Sequence, residues 1–269
     1  MELIHNTYSL TTMPEQIDLA FNNFTKKIYN DLQMMPSEIE NFIFESPVKG
    51  FKQRSNQCGV QTAKVWIHAI DGQEIYHKWQ TDTDYMIIKS YIFEKLDKLC
   101  DKHGVPSRKN KFIAINYYPP FEAFDSKNPV FPYHTDFGYI NCLLSNGPTM
   151  ILDPEDNQWK EINLGNQMMH QVGGTLQSIS NGKYKAIPHG VGRSPVIANN
   201  QGKISIVGVC DPDGPITLIC GDKSLEIDGL EMIGIRFKGL YDNYQGTEDP
   251  DKEIYQTFLS ALNKFERPC

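Results

Sequence analysis

Two stretches of the chain repeat apolar positions every three or four residues, and both predict helices. In "PEQIDLAFNNFTKKIYNDL" the residues Ile17, Ala20, Phe21, Phe24 and Ile28 share one face, and Pro14 suits the first turn. In "DTDYMIIKSYIFEKLDKLCDKHG" the stripe is Tyr85, Ile88, Ile92, Leu96 and Leu99; Asp82 or Asp84 can cap its start and Gly104 can end it. Between the two, short β-like runs flank an Asp71-Gly72 pair, which predicts a hairpin. From Lys111 the pattern changes. "KFIAINYY", "FGYINCLL", "TMILD", "TLQSIS", "KISIVGVC" and "ITLIC" are short runs rich in Ile, Leu, Val and Tyr, separated by Pro, Gly, Asn and Asp clusters. That spacing predicts an antiparallel sandwich or barrel, with Asn181-Gly182 as a hairpin turn. Near the C-terminus "PDKEIYQTFLSALNKF" returns to helical spacing through Ile254, Phe258 and Leu262. The fold class expected is mainly β with flanking helices.

Composition narrows the class. No repeat, low-complexity tract or Pro/Gly/Ser-rich linker interrupts the 269 residues. One domain over 1–269 is therefore expected: a mostly helical flank to residue 110, a β-rich core over 111–220, and a C-terminal strand and helix over 221–269. A net charge of −7 argues against nucleic acid or an anionic membrane as the main partner and leaves a small molecule or a protein. No obligate protein partner is evident. The N-terminus has no basic-then-apolar leader, and no run approaches the ~18 apolar residues of a membrane helix, so a cytoplasmic location is expected. Six scattered cysteines without a C-x-x-C pair are expected to be reduced packing thiols.

Candidate chemistry sits in "YHTDFGYINCLL", residues 133–144, where His134 and Asp136 are two positions apart. On a strand, side chains at i and i+2 point to the same face, so the pair can grip one metal ion. Two His and one carboxylate, with positions left open, suit non-heme Fe(II). A third ligand would be a histidine from elsewhere: His5, His68, His77, His103, His170 or His189. His103 sits at a helix end, where it better serves the helix dipole. His170, in "GNQMMHQVGG", has no strand-like framing.

The stretch "VGGTLQSISNGKYKAIPHGV", together with "INYYPP" and "HTDFGYINCLL", resembles the isopenicillin N synthase-like branch of the Fe(II)- and 2-oxoglutarate-dependent oxygenases, which also holds anthocyanidin synthase and ACC oxidase. The order N-x-Y-P-P, H-T-D-F-G, S-N-G-x-Y-K and then a histidine is reproduced from about Lys111 to Pro215, including "CDPD" at 210–213. The resemblance implies a double-stranded β-helix (jelly roll, cupin-like) and selects His189 as the third ligand beside His134 and Asp136. It implies that Asn116 and Tyr118 approach 2-oxoglutarate, and that Lys203 and Ser205 hold its remote carboxylate in place of the family's R-x-S. Lysine is a point charge without the planar fork of arginine, and Arg193 is the alternative fork. Gly174 stands where the family has aspartate, and little before Lys111 can be matched. Tyr133, Phe137, Tyr139 and Phe131 are candidates for the substrate wall.

The function implied is oxidation of an unactivated C–H bond of a small molecule (hydroxylation, desaturation or cyclisation), using dioxygen and 2-oxoglutarate, with succinate and CO2 as coproducts. Two alternatives carry different signatures. An oxidase of isopenicillin N synthase or ACC oxidase type would need no 2-oxoglutarate and would draw electrons from substrate or ascorbate; a non-catalytic binding protein would keep only the barrel.

Overall fold

The computed structural model describes residues 7–34, 63–70, 73–74, 79, 81–105, 110–118, 131–192, 202–229 and 231–232. The expected C-terminal helix and Arg193 lie outside these residues.

Both predicted helices form. The first, α1 (Glu15–Met34), begins directly after Pro14, whose carbonyl accepts from the N–H groups of Ile17 and Asp18. The second, α2 (Thr83–Lys102), is capped by Asp82, whose Oδ1 accepts from the Tyr85 N–H at 3.0 Å. Gly104 follows with φ +65°, the left-handed conformation that glycine supplies at a helix end. The apolar stripes of the two helices meet in one core cluster holding Phe21, Phe24, Ile88, Ile92 and Leu96. Phe24 stacks edge-on to Trp79 at 5.8 Å, and burial of each such side chain stabilises the fold by about 1.5–3 kcal/mol. Among the described residues no helix is long and apolar enough to cross a membrane.

The strands are β1 (Tyr8–Thr12), β2 (Ala63–Ile70), β3 (Gln73–Glu74), β4 (Asn110–Tyr118), β5 (Phe131–His134), β6 (Ile140–Ser145), β7 (Thr149–Leu152), β8 (Trp159–Ile162), β9 (Gln167–Val172), β10 (His189–Val191), β11 (Lys203–Asp211), β12 (Pro215–Cys220) and β13 (Lys223–Asp228). Seven form an antiparallel sheet in the order β1-β9-β6-β11-β4-β2-β3, four form a second in the order β5-β10-β7-β8, and β12-β13 is a separate ribbon. The predicted hairpin is present: β2 and β3 pair as Ala69↔Glu74 and Ile70↔Gln73, either side of Asp71-Gly72. The residues before Lys111 are thus not only helical, because β1 and β2 extend the large sheet at both flanks.

Alternation along β4 and β11 sorts two faces. Ile113 and Ile115 of β4, with Ile204, Ile206 and Cys210 of β11, enter the cluster that packs against α2. Asn116, Tyr118, Lys203 and Ser205 lie on the opposite face and are also buried. Burial on both sides explains why these strands read as almost continuous apolar runs.

Three local readings are corrected. "TLQSIS" is not a strand but part of a short helix, α3 (Gly174–Ile179). Asn181 (φ 51°) and Gly182 (φ 74°) do adopt the left-handed conformation, but they end α3, with the Gly182 N–H donating to the Gln177 carbonyl at 2.9 Å. A left-handed pair serves a helix C-terminus as well as a hairpin, and the sequence alone did not separate the two. His170, expected outside any strand, is central in β9 and fully buried. Its Nδ1 lies 3.3 Å from Cys142 Sγ and its Nε2 3.1 Å from Thr11 Oγ1, a packed neutral imidazole whose pKa burial pushes down to about 4. Cys100, Cys142 and Cys210 are free and buried, as packing thiols should be.

Candidate metal centre

Strand pairing alone brings two histidines together. In the β5–β10 ladder His189 lies directly opposite His134, and the two rings sit 4.6 Å apart between centroids. Asp136 arrives differently from the reading above. β5 ends at His134, so the carboxylate is carried not by strand alternation but by the segment that leads into β6. That segment is pinned by backbone: Gly174 N–H donates to Asp136 O at 2.8 Å, Thr175 N–H to Phe137 O at 3.0 Å, and Tyr139 N–H to Cys210 O at 2.7 Å. The start of α3 thus supplies two of these donors, and β11 accepts the third bond.

The packing there is close. A Cβ built on Gly173 would lie 2.1 Å from the carbonyl oxygen of Gly138. Gly173→Ala is therefore expected to lower stability by about 1–3 kcal/mol or more, because backbone rather than a flexible side chain must move. Thermal melting checks the loss. Since Gly138 is two residues from Asp136, Fe(II) affinity should fall with it.

One ligand atom from each of His134, Asp136 and His189 lies within 4.8 Å of the others. His134 Nε2 is 3.4 Å from Asp136 Oδ1, and His189 Nε2 is 3.4 Å from Asp136 Oδ2. Ligands at ~2.1 Å around an octahedral ion stand about 3 Å apart along each edge, so each of these two separations is close to what a shared ion needs. His189 Nδ1 lies 3.1 Å from the Ile187 carbonyl, to which its N–H donates, and this leaves the Nε2 lone pair for a metal. Burial lowers the His189 pKa against the opposing pull of Asp136, so the ring stays neutral as a ligand must.

A second polar cluster lies in the other, seven-stranded sheet, on β4 and β11, and Lys203 reaches from it to Thr149 at the start of β7 in the sheet that carries the two histidines. Lys203 is paired with Tyr118 across the β11–β4 ladder, and Ser205 with Asn116; Ser205 also faces Ser145 of β6, Oγ to Oγ 3.3 Å. The Lys203 side chain is fully buried, and its Nζ donates to Pro148 O at 2.6 Å and Thr149 Oγ1 at 3.0 Å, 5.6 Å from the centre of the Tyr118 ring. Burial pushes its pKa down to about 7, opposed only by the through-space pull of Glu161. Asn116 Oδ1 is buried and has no hydrogen-bond partner among the described residues. Burial and the charge of Asp136 both raise the Tyr118 hydroxyl pKa. From α1, the Tyr29 hydroxyl donates to Gly202 O at 2.9 Å and accepts from Asn146 Nδ2 at 2.7 Å, while Asn146 Oδ1 accepts from Ile204 N–H at 2.8 Å. That latch fixes the start of β11, and with it Lys203.

Of the residues named from the sequence, His134, Asp136 and His189 meet at the candidate metal centre, and Asn116, Tyr118, Lys203 and Ser205 lie on β4 and β11 of the larger sheet. Tyr139 is not a wall residue, since it is fully buried in the core cluster beneath α2. The side chains of Phe131 and Tyr133 lie outside the described residues. One residue escaped the sequence reading. Asn141 Nδ2 donates to Asp136 Oδ2 at 2.6 Å. Its signal was an amide inside the otherwise apolar "INCLL".

Residues 109–212 match the model of the 2OG-Fe(II) oxygenase superfamily. The chain is 30% identical over 122 residues to the chloroplastic 2-oxoglutarate-dependent dioxygenase 21 of Oryza sativa subsp. japonica, covering 45% of this chain and 32% of that protein. It is 35% identical over 78 residues to the flavonol synthase/flavanone 3-hydroxylase of Solanum tuberosum, covering 29% of this chain and 21% of that protein. The matched segments thus span about a third or less of these relatives. Among solved structures, full-length Neurospora crassa T7H in complex with alpha-KG superposes with a TM-score of 0.64 at 14% identity, covering 87% of each chain. The rice dioxygenase for auxin oxidation superposes at 0.60 and 14%, covering 87% of this chain and 86% of that one. At such identities these likenesses establish the fold, a jelly-roll core.

Proposed function

From the match of residues 109–212 to the model of the 2OG-Fe(II) oxygenase superfamily, we propose that the protein is an Fe(II)- and 2-oxoglutarate-dependent oxygenase acting on a C–H bond of a small molecule. The residues fit both groups. His134, Asp136 and His189 are a two-nitrogen, one-carboxylate donor set with their ligand atoms converging. Lys203 is a fully buried amine, with a serine two residues on and the unpartnered Oδ1 of Asn116 on the paired strand. A buried cation needs a partner, and an anionic carboxylate is the natural one.

The observation that carries the reading is this buried amine, which reaches from β11 to Thr149 of β7, in the sheet that carries His134 and His189. Bound there, Fe(II) with 2-oxoglutarate and dioxygen supplies an oxidant able to break an unactivated C–H bond, with succinate and CO2 as coproducts. The chain's own residues do the rest. His134, Asp136 and His189 hold the metal on one side and leave the other open. Lys203, with Ser205, holds the remote carboxylate of 2-oxoglutarate, while Tyr118 and Asn116 crowd its carbon chain and exclude water. The buried position of Lys203 disfavours the oxidase alternative, in which no dicarboxylate would compensate it.

Anaerobic addition of 2-oxoglutarate to the Fe(II)-loaded protein tests the proposal. Chelation by the oxo acid is expected to give a visible metal-to-ligand charge-transfer band, and in air succinate should form with oxygen uptake. Retained Fe(II) binding without the band would overturn the 2-oxoglutarate assignment in favour of the oxidase.

A further inference from the structure

Asp136 carries two oxygens, and each faces a different histidine: Oδ1 lies 3.4 Å from His134 Nε2 and Oδ2 3.4 Å from His189 Nε2. Nothing in that arrangement decides which oxygen meets a metal, or whether both do. The carboxylate sits beyond the end of β5, so no strand ladder restrains it. The distinction matters for chemistry, because a carboxylate that chelates through both oxygens occupies a coordination position needed by the other reactants.

Asn141 breaks the symmetry. It lies in β6, an interior strand of the seven-stranded sheet, is completely buried, and donates from Nδ2 to Asp136 Oδ2 at 2.6 Å. The orientation of the amide is fixed by chemistry: its oxygen turned towards the carboxylate would set acceptor against acceptor. In this orientation Asn141 Oδ1 is buried and has no hydrogen-bond partner among the described residues. An amide with half its hydrogen-bonding capacity unmet, among Ile140, Cys142, Leu143 and Leu144, is a poor choice for packing alone. An apolar side chain of equal volume would suit the strand better.

We infer that Asn141 is a positioning residue of the metal centre: it holds Oδ2 of Asp136, so that the carboxylate offers the metal Oδ1 alone and a coordination position stays open. The inference rests on the proposed reading of His134, Asp136 and His189 as metal ligands. A hydrogen bond to a coordinating carboxylate commonly changes metal affinity by ~10–100-fold when lost.

The test is Asn141→Leu, nearly isosteric but without a donor, titrated with Co(II) as a spectroscopic stand-in for Fe(II), with the metal-free protein melted in chelator. A positioning role predicts Co(II) affinity down about tenfold or more and altered visible ligand-field bands, as the released carboxylate chelates. It also predicts an unchanged or raised melting temperature for the metal-free protein, since a buried unmet amide has been removed. A purely structural role predicts the reverse: a lower melting temperature with wild-type Co(II) affinity and spectrum, and that result overturns the inference. If the leucine variant does not fold, Asn141→Ala, which adds no bulk, is read by the same affinity and spectrum. Wild-type protein that binds no Co(II) would instead remove the metal-centre reading itself, so the two failures are distinguishable.

Discussion

His189→Ala is expected to reduce Fe(II) affinity by roughly two orders of magnitude or more, because it removes one of three converging ligands, a larger loss than those known for outer hydrogen-bonding partners. The fold should tolerate the change. His189 holds its place in the sheet through backbone pairing with His134 on one side and Ile151 on the other, and alanine keeps both ladders. The circular dichroism of the metal-free variant should therefore match the wild type. Anaerobic Fe(II) titration with isothermal calorimetry reads the affinity, and wild-type binding by the variant would remove His189 from the site. His170→Ala makes the internal control. Its ring is fully buried between Cys142 and Thr11, so it should cost stability and leave Fe(II) affinity alone.

The contrast between these two histidines shows what the sequence could convey. Local context set aside His103 and His170 and left His5, His68, His77 and His189 open, yet the apolar frame around His170 in fact marked a strand. Resemblance chose His189, and the ladder register shows why that choice makes physical sense: an antiparallel pair sets one residue opposite one residue, and here it sets His189 opposite His134. The alternation that sorts Asn116 and Tyr118 from Ile113 and Ile115 was legible because a period of two survives burial of both faces. Asp136 and Asn141 were harder. The carboxylate is placed by backbone donors from the start of α3, Gly174 and Thr175, far along the chain from Asp136, and the amide by its position in a strand interior. Both depend on tertiary contacts that no local pattern encodes.

The departure at Lys203 leads to the second large effect. Lys203→Met is expected to weaken 2-oxoglutarate binding by roughly 100-fold, the worth of one charge-assisted hydrogen bond of about 2–3 kcal/mol, with Fe(II) affinity unchanged. The pH dependence makes the assignment specific. Burial holds the amine at about 7 in the folded protein, well below its value of about 10.5 in an unfolded chain. Below pH 7 both states are protonated and the burial cost is present in full. Between pH 7 and about 10.5 the unfolded state binds the extra proton, so stability of the ligand-free protein rises with pH across that window, by an amount on the order of a few kcal/mol. Lys203→Met should flatten that rise in urea unfolding curves. Ligand binding must run the opposite way, because the dicarboxylate is held by the charged amine: above pH 7 its affinity should fall towards tenfold per pH unit in the wild type and stay flat in the variant. An arginine, which stays charged throughout, would show neither slope. The stem is held closely, since a Cβ built on Gly147 would meet it at 3.1 Å. A pH-independent affinity in the wild type would show that Lys203 is not the group that holds the carboxylate.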